Sequence, residues 1–214
     1  MSGLTLIIGN KNYSSWSLRP WMLLRHHQIE FSEIRIPLYI ETTREALSKY
    51  HSDFKVPVLL DGDLEVWDSL AILEYLSANY LDGAGWPRDQ KACAVARSVS
   101  AEMHSSFVAL RTELPMNCRE RFENVRLSEA AMHDVERVKE LWRYCRRTFA
   151  GDGEWLFGNF SIADAMFAPV ALRFIGYGIP VNDIEKAFID AVLRQAYISE
   201  WIDAGKAETE VIVW

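Results

Sequence analysis

The spacing of hydrophobic and polar residues divides the chain into two parts. In the first part, short apolar or alternating runs stand between stretches whose apolar residues recur at helical spacing. This pattern predicts strands over residues 4–8, 31–36, 56–60 and 64–67. Helices are predicted from residue 18, over residues 42–50 and from residue 69. In the resulting order, β-α-β-α-β-β-α, we expect strands separated by helices to pair in parallel and the turn at 61–63 to add an antiparallel hairpin.

The pattern in the second part of the chain predicts helices almost throughout. Helices are predicted over residues 89–114, 127–149, 161–175 and 184–202, and only the last four residues, 211–214, resemble a strand. We therefore expect an α/β domain over residues 1–81, a linker rich in turn formers over residues 82–88, and an all-α bundle over residues 89–214.

Charge and composition argue against several classes of function. The formal net charge is −7, and no cluster of lysines and arginines provides the basic surface that nucleic acid requires. No apolar run approaches the roughly 18 residues of a membrane span. Residues 1–9 lack the features of a signal peptide, so we expect a cytoplasmic protein without a membrane partner. Cys93, Cys118 and Cys145 are not at metal-ligand spacing, and we expect no metal site.

Three short motifs carry most of the functional information. Lys55-Val56-Pro57-Val58-Leu59 places a proline at the start of a predicted strand, where it has no N–H to donate. Asp68-Ser69-Leu70-Ala71-Ile72 places a capping pair at a helix N-terminus, where free N–H groups favour an anion. Ser161-Ile162-Ala163-Asp164 has the spacing of a capping box, which we interpret as structural. In order and spacing, these motifs resemble those of the soluble, cytosolic-type glutathione transferases over essentially the whole chain.

The resemblance implies a thioredoxin-like N-terminal domain that binds glutathione as a co-substrate, without a metal. In that family the bond corresponding to Val56-Pro57 is cis, and the main chain before the proline pairs with the cysteinyl unit of glutathione. The family places the γ-glutamyl carboxylate at Ser69, and Asp68 is positioned to meet the ammonium group. Lys55 and Trp16 complete the glutathione-binding residues expected from the resemblance. Family members are usually homodimers, and we expect a homodimer here.

The run Tyr13-Ser14-Ser15-Trp16-Ser17 precedes the first helix, where this family carries the residue that activates the thiol. It resembles the Ser-Ser-Cys-Ser run of the zeta class, which includes the maleylacetoacetate isomerases, and indicates a bacterial, serine-type member with Trp16 in place of the cysteine. A serine hydroxyl that donates a hydrogen bond to the thiolate lowers the thiol pKa by about one to two units. Ser14 is the first candidate, Ser15 the second and Tyr13 the third. The alternative is that the serines only cap the helix.

The second substrate is expected between the thiol and the first long helix of the all-α domain. The residues expected to form this pocket are Tyr13, Arg19, His104, Phe107 and Arg111. Arg111 can hold a carboxylate through two hydrogen bonds, although a surface arginine with a local partner is the alternative. The expected function is transfer of glutathione to a small hydrophobic or carboxylate-bearing electrophile. Cis-trans isomerisation of a maleyl-type diacid and a non-catalytic partner-binding role are the alternatives.

Overall fold

The computed structural model describes residues 3–212, and its first part is a mixed α/β layer. Its elements are β1 (Leu4–Ile8), α1 (Ser15–His26), β2 (Ser32–Arg35), α2 (Thr43–Leu47), β3 (Val58–Asp61), β4 (Leu64–Trp67) and α3 (Ser69–Tyr80). This order matches the predicted one. A two-residue turn containing Gly62, whose φ is 58°, joins β3 to β4 and confirms the predicted hairpin.

The four strands form one sheet in the order β2-β1-β3-β4. β1 is parallel to β2, as predicted, but antiparallel to β3, so the prediction of parallel pairing is wrong for β3. The chain leaves β2, forms only the 5-residue helix α2 in the connection, and enters β3 from the end at which it left β2. A helix between two strands in the sequence does not by itself decide whether the chain crosses back along the sheet.

The second part is all-helical over the described residues. Its helices are α4 (Gln90–Ser105), α5 (Val108–Glu113), α6 (Glu129–Phe149), α7 (Ile162–Gly176), α8 (Asp183–Leu193) and α9 (Ala196–Ala207). The predicted fold class, a thioredoxin-like α/β domain followed by a helical domain, is therefore confirmed. No helix within residues 3–212 is long and apolar enough to span a membrane.

Two of the predicted helices are each divided in two. The helix expected over residues 89–114 breaks at Phe107, whose φ of 61° reverses the chain between α4 and α5. A left-handed conformation costs a non-glycine residue roughly 1–2 kcal/mol, and burial of a phenyl ring that is only 4% exposed offsets this cost. The helix expected over residues 184–202 breaks at the extended Gln195, between α8 and α9. Both halves keep an apolar face, so periodicity alone does not reveal either break.

Helix α7 is the centre of the helical domain. All of its residues except Ile175 are buried, and it packs against α1 on one side and α4 on the other. A helix that is apolar on all sides is typical of a central position. Because α7 contacts α1 directly, any polar side chain on that side of α7 lies close to the first helix of the α/β domain.

Asp164 fixes the start of α7. Its carboxylate accepts hydrogen bonds from the N–H and hydroxyl of Ser161, at 2.8 and 2.9 Å, and from the N–H of Leu156 at 2.8 Å. The capping box predicted from the sequence is therefore confirmed.

The segment between α3 and α4 consists of turns and contacts both domains. The carbonyl of Gly85 accepts a hydrogen bond of 2.8 Å from the N–H of Ile162, and a Cβ atom at Gly85 would lie 2.7 Å from the Ser77 hydroxyl. The domain boundaries at residues 81 and 89 stay a prediction. Of the strand-like residues 211–214, the first two form no strand, and residues 213 and 214, like 1 and 2, lie outside the described residues.

Candidate functional site

A cleft of about 1310 Å³ lies between the two domains. It is larger than the roughly 300–1,000 Å³ of an ordinary ligand pocket, so it has room for two small molecules. The predicted site residues that line it are Tyr13, Ser14, Ser15, Trp16, Lys55, Val56, Pro57, Asp68, Ser69, His104 and Arg111. Residues separated by almost 100 positions in the chain are thus brought to one cavity.

Ser14 caps α1 and belongs to a short chain of hydrogen bonds. The N–H of Gly9 donates to the Ser17 hydroxyl at 3.1 Å, and the Ser17 and Ser14 hydroxyls lie 2.7 Å apart. The N–H of Ser17 also points to the Ser14 oxygen, at 3.4 Å. Ser14 therefore caps α1, as the capping alternative predicts. If the Ser17 hydroxyl donates to the Ser14 oxygen, the Ser14 hydroxyl proton remains available to a ligand in the cleft.

Ser15 is held in a different way. A guanidinium N–H of Arg173, on α7, donates a hydrogen bond of 3.1 Å to the Ser15 hydroxyl oxygen. Because that oxygen accepts from a cation, the Ser15 proton has to point elsewhere, and the residue lines the cleft. Ser15 is thus a hydroxyl donor polarised by a positive charge.

Arg173 is buried without a carboxylate partner. Its guanidinium donates to the carbonyl oxygens of Arg111, at 3.3 Å, and Leu114, and no acidic group within residues 3–212 forms an ion pair with it. Burial lowers the pKa of Arg173 to about 10, so the group remains charged at neutral pH. A buried charge without a counter-ion is costly unless a ligand or its own hydrogen bonds stabilise it.

Two more arginines surround the Trp16 ring. The Arg19 guanidinium lies 4.0 Å from the ring centroid and the Arg111 guanidinium 5.4 Å. His104 contacts the ring edge, with 5.5 Å between centroids. Burial, and then the charges of Arg173 and Arg111, lower the pKa of Arg19. The inner end of the cleft is therefore electropositive, although the protein as a whole is acidic.

Two residues predicted for the electrophile pocket do not line it. Arg19 is 1% exposed and lies behind Trp16, where its Nε donates to the carbonyl of Met166 at 3.0 Å. Phe107 is 4% exposed and belongs to the core, because its left-handed conformation turns the ring inward. Helical spacing predicts Phe107 on the pocket wall, and that spacing breaks down at Phe107 itself. Arg19 is predicted there from its resemblance to the arginine that follows the zeta-class serine run.

Asp68 and Ser69 meet at the N-terminus of α3. One oxygen of Asp68 accepts hydrogen bonds from the N–H groups of Leu70 and Ala71, at 2.9 and 3.2 Å, and the other lies 2.6 Å from Nε2 of His104. The Ser69 hydroxyl is buried without a partner among the described residues. A carboxylate beside a free hydroxyl at a helix N-terminus suits a ligand that carries both an ammonium and a carboxylate group.

The segment at residues 55–57 forms the opposite rim of the cleft. The Val56-Pro57 peptide bond is cis, as predicted. The main-chain N–H and carbonyl of Val56 form no hydrogen bond to any residue within 3–212. They are available to pair with an extended peptide. Lys55 is exposed, and its ammonium lies 3.5 Å from Asp53.

Tyr13 lines the cleft, and its hydroxyl oxygen, like that of Ser15, accepts a hydrogen bond from an arginine. A guanidinium N–H of Arg119 donates to this hydroxyl at 2.7 Å, and the same guanidinium lies 5.5 Å from the ring centroid. Tyr13 is 7% exposed.

Sequence comparison identifies the α/β domain. Residues 13–79 match the family model described as "Glutathione S-transferase, N-terminal domain". This match lies within the α/β domain and covers less than half of the chain. A curated relative, the dichloromethane dehalogenase of Methylophilus leisingeri, is 37% identical over 62 residues. That match spans 28% of this chain and 23% of the dehalogenase, so it covers only a minor part of either protein.

Solved glutathione transferases share the whole fold. A glutathione transferase homolog from Burkholderia, solved with bound glutathione, aligns over 96% of this chain and 100% of its own, at 23% identity and a TM-score of 0.70. Glutathione S-transferase unclassified 2 from Bombyx mori aligns over 96% and 94%, at 19% identity and a TM-score of 0.75. A theta-class enzyme from Xanthomonas axonopodis, also with bound glutathione, aligns over 94% and 98%, at 18% identity and a TM-score of 0.70.

Arg173 is the residue of this candidate site that sequence reasoning missed. It is the only lysine or arginine of the buried helix α7, whose one other charged residue is Asp164 in the first turn. Arginines are almost never fully buried unless they have a partner, so one in a helix that is apolar on all sides is a usable signal. The sequence does not show which part of the α/β domain it contacts.

Proposed function

We propose that this protein is a serine-type glutathione transferase that stabilises the glutathione thiolate and directs it to an electrophilic carbon. The observation that carries the proposal is the hydrogen bond from the buried Arg173 to the hydroxyl oxygen of Ser15, a residue that lines the cleft. A hydroxyl set in this way donates its proton to a thiolate without changing its own contacts. For this reason Ser15 ranks before Ser14, the reverse of the order expected from the sequence.

Glutathione would bind along the rim of the α/β domain. The free main chain of Val56 would pair with the cysteinyl unit, like an added strand. Ser69 and the N-terminus of α3 would hold the γ-glutamyl carboxylate, and Asp68 the ammonium group. Lys55 and Trp16 would contact the remainder of the tripeptide. This orientation places the sulfur beside Ser15 and leaves the arginine-lined end of the cleft for the second substrate.

The chemistry needs only a stable thiolate and a positioned electrophile. A hydrogen bond to a charged group contributes about 1.5–3 kcal/mol, which corresponds to a thiol pKa roughly one to two units lower. The positive end of α1 and the Arg173 charge act in the same direction. The sulfur then forms a bond to carbon, and either a leaving group departs with its electron pair or a proton is added to the neighbouring atom.

Several further features are part of this proposal. We propose that the protein is a cytoplasmic homodimer, that it acts in detoxification, and that its domains divide at residues 81 and 89. A bacterial origin is also part of the proposal, as is a relationship to the zeta class, which rests on the Ser14-Ser15 run alone.

Titration of the bound thiol tests the proposal. Calorimetry at millimolar glutathione measures binding, and thiolate absorbance in the ultraviolet measures the thiol pKa in the wild type, Ser15→Ala and Ser14→Ala. We expect Ser15→Ala to raise the bound thiol pKa by about one to two units and Ser14→Ala to change it less. An unchanged pKa in both variants would contradict serine activation. Failure of the wild type to bind glutathione would favour a non-catalytic binding role.

A second candidate function is the glutathione-dependent isomerisation of a maleyl-type diacid. It is favoured by Arg111, which lines the cleft and, among the described residues, donates only to the carbonyls of Met103 and His104, at 3.3 and 3.4 Å. Burial lowers the pKa of Arg111, and no carboxylate within residues 3–212 forms an ion pair with it. A bound dicarboxylate would supply that partner. Turnover of maleylacetone without loss of glutathione, compared with conjugation of chlorodinitrobenzene, distinguishes the two activities.

A further inference from the structure

The segment that follows α9, Glu208–Glu210, is bound to the loop that leads into Ser14 and Ser15. We call this segment the carboxyl-terminal clamp. The two carboxylate oxygens of Glu208 accept hydrogen bonds from the main-chain N–H groups of Lys11, at 2.7 Å, and Asn12, at 3.1 Å. The Glu208 side chain is only 6% exposed. Both oxygens of this buried carboxylate hold the backbone of one loop, and one of them also lies 3.6 Å from a guanidinium nitrogen of Arg35.

Arg119 joins the clamp to the cleft. One guanidinium nitrogen donates to the carbonyl of Glu208 at 2.7 Å. The other donates to the carbonyl of Glu210 at 2.6 Å and to the hydroxyl of Tyr13 at 2.7 Å. Arg119 forms no ion pair with a carboxylate within residues 3–212. Its hydrogen bonds therefore connect the clamp to a residue of the cleft wall.

The loop of residues 10–13 has two further close contacts with the helical domain. A Cβ atom at Gly205, in the last turn of α9, would lie 3.0 Å from the N atom of Asn12, so the helix approaches the loop backbone directly. The buried Asn12 amide oxygen accepts hydrogen bonds from the N–H groups of Cys118, at 2.8 Å, and Arg119, at 3.1 Å. Little free space separates the loop from the helical domain.

The loop is too short to absorb a displacement. The carbonyl of Asn10 accepts hydrogen bonds from Tyr13, at 3.1 Å, and Ser14, at 2.8 Å, which makes one tight turn between the clamp contacts and the first serine. A shift of the backbone at Asn12 therefore moves the Ser14 and Ser15 hydroxyls relative to the sulfur. A misplacement of about 1 Å at a reacting centre can reduce the rate roughly a hundredfold.

We propose that Glu208 and Arg119 are positioning residues, which act through the loop of residues 10–13 to set the distance between the serine hydroxyls and the glutathione thiol. The inference rests on the proposed function. The clamp takes no part in binding the γ-glutamyl or cysteinyl units. Its loss should therefore change thiol activation and kcat rather than the affinity for glutathione.

The test compares Glu208→Gln and Arg119→Lys with a matched control, Asp203→Asn. Glutamine has one acceptor oxygen, so its NH₂ group would face a main-chain N–H and one contact would be lost. Asp203 lies on α9 and its exposed side chain is 3.7 Å from Lys206, away from the loop. Each full-length protein is assayed for the bound thiol pKa, kcat, KM for glutathione and melting temperature.

We expect Glu208→Gln to raise the bound thiol pKa and lower kcat about tenfold or more, with KM for glutathione changed less than about threefold. Arg119→Lys should also raise the bound thiol pKa and lower kcat, but by less, and Asp203→Asn should match the wild type. A lower melting temperature with unchanged thiol pKa and kcat in both Glu208→Gln and Arg119→Lys would overturn the inference and leave these residues a purely structural role. If the wild-type protein does not lower the thiol pKa at all, the proposed function itself is wrong. The wild-type measurement alone shows this, before any variant is compared.

Discussion

The Arg173 guanidinium donates a hydrogen bond of 3.1 Å to the Ser15 hydroxyl, 158 residues earlier in the chain. The bond crosses from the helical domain to the N-terminus of the first helix of the α/β domain. It connects a buried charge that has no carboxylate partner within residues 3–212 to the group proposed to hold the thiolate. Assembly of the two domains is therefore required to complete the site.

Replacing Arg173 tests whether this charge supports the thiolate. We expect Arg173→Met to raise the bound thiol pKa by about one unit, because Ser15 loses its cationic donor. Arg173→Lys should raise it less, since the charge remains while the fork of donors is lost. Unpaired carbonyls at Arg111 and Leu114 should also lower the free energy of unfolding by about 1–3 kcal/mol. Thiolate absorbance measures the pKa, and an unchanged value in both folded variants would exclude the role of Arg173.

Asp68→Asn separates the charge of this residue from its role as a helix cap. Asparagine caps helices as well as aspartate does and tolerates the positive φ of 73° at this position. We therefore expect stability to change by less than about 0.5 kcal/mol. The Kd of glutathione should rise about tenfold or more, because the ammonium group loses a charged acceptor. Calorimetry and thermal melting measure the two effects. A large loss of stability without weaker binding would assign Asp68 to the fold alone.

Arg111→Met should change the preference between electrophiles. A carboxylate-bearing electrophile loses a charge-assisted hydrogen bond of about 1.5–3 kcal/mol, so its KM should rise roughly ten- to a hundredfold. The KM for the neutral chlorodinitrobenzene should stay within about twofold, as no charged contact is lost. Arg97→Met is the matched control, since Arg97 is exposed and paired with Glu74 outside the cleft. Equal effects on both electrophiles would contradict an anion-binding role for Arg111.

Asp164→Ala should affect stability but not thiol chemistry. The change leaves the N–H groups of Leu156 and Ser161 buried without an acceptor, which predicts a loss of about 2–4 kcal/mol in the free energy of unfolding. Asp183→Ala, at the exposed first turn of α8, should cost less than about 1 kcal/mol. Urea denaturation measures both values. A raised thiol pKa in the folded Asp164 variant would show that this motif also shapes the cleft.

The pair His26-His27 predicts a pH dependence of stability. Burial lowers the pKa of His26 from 6.5 to about 4 and also lowers the pKa of His27, so the fold disfavours protonation of both rings. Below pH 6.5 the unfolded chain binds more protons than the folded one, and stability falls as the pH drops from 6.5 towards 4. After allowance for the partly exposed ring, His26 should account for a loss of about 1 kcal/mol in the free energy of unfolding between pH 7 and pH 5.

His26→Gln should remove this share of the pH dependence. The exposed His133→Gln should leave the pH profile unchanged and serves as the control. Urea denaturation at pH 5 and pH 7 gives the difference for each variant. The prediction is wrong if the His26 variant loses as much stability between these values as the wild type does.

Sequence by itself determined the features that depend on neighbouring residues. Strand and helix order, the capping box at Ser161, the hairpin at Gly62 and the helix N-termini at Ser14 and Asp68 all follow from local periodicity and capping. These preferences act over a few residues, so they can be recognised along the chain. The motifs at Val56-Pro57 and Asp68-Ser69 also predict where glutathione would bind, and this stays a prediction.

Only the tertiary structure decided the contacts between distant parts of the chain. The reversal of β3, the break at Phe107, the bond from Arg173 to Ser15 and the clamp from Glu208 to Lys11 each depend on how whole elements pack. Local propensity contains no information about which helix will face which loop. Packing of α7 on α1 brings a buried arginine to Ser15, and that single contact changes the preferred serine from Ser14 to Ser15.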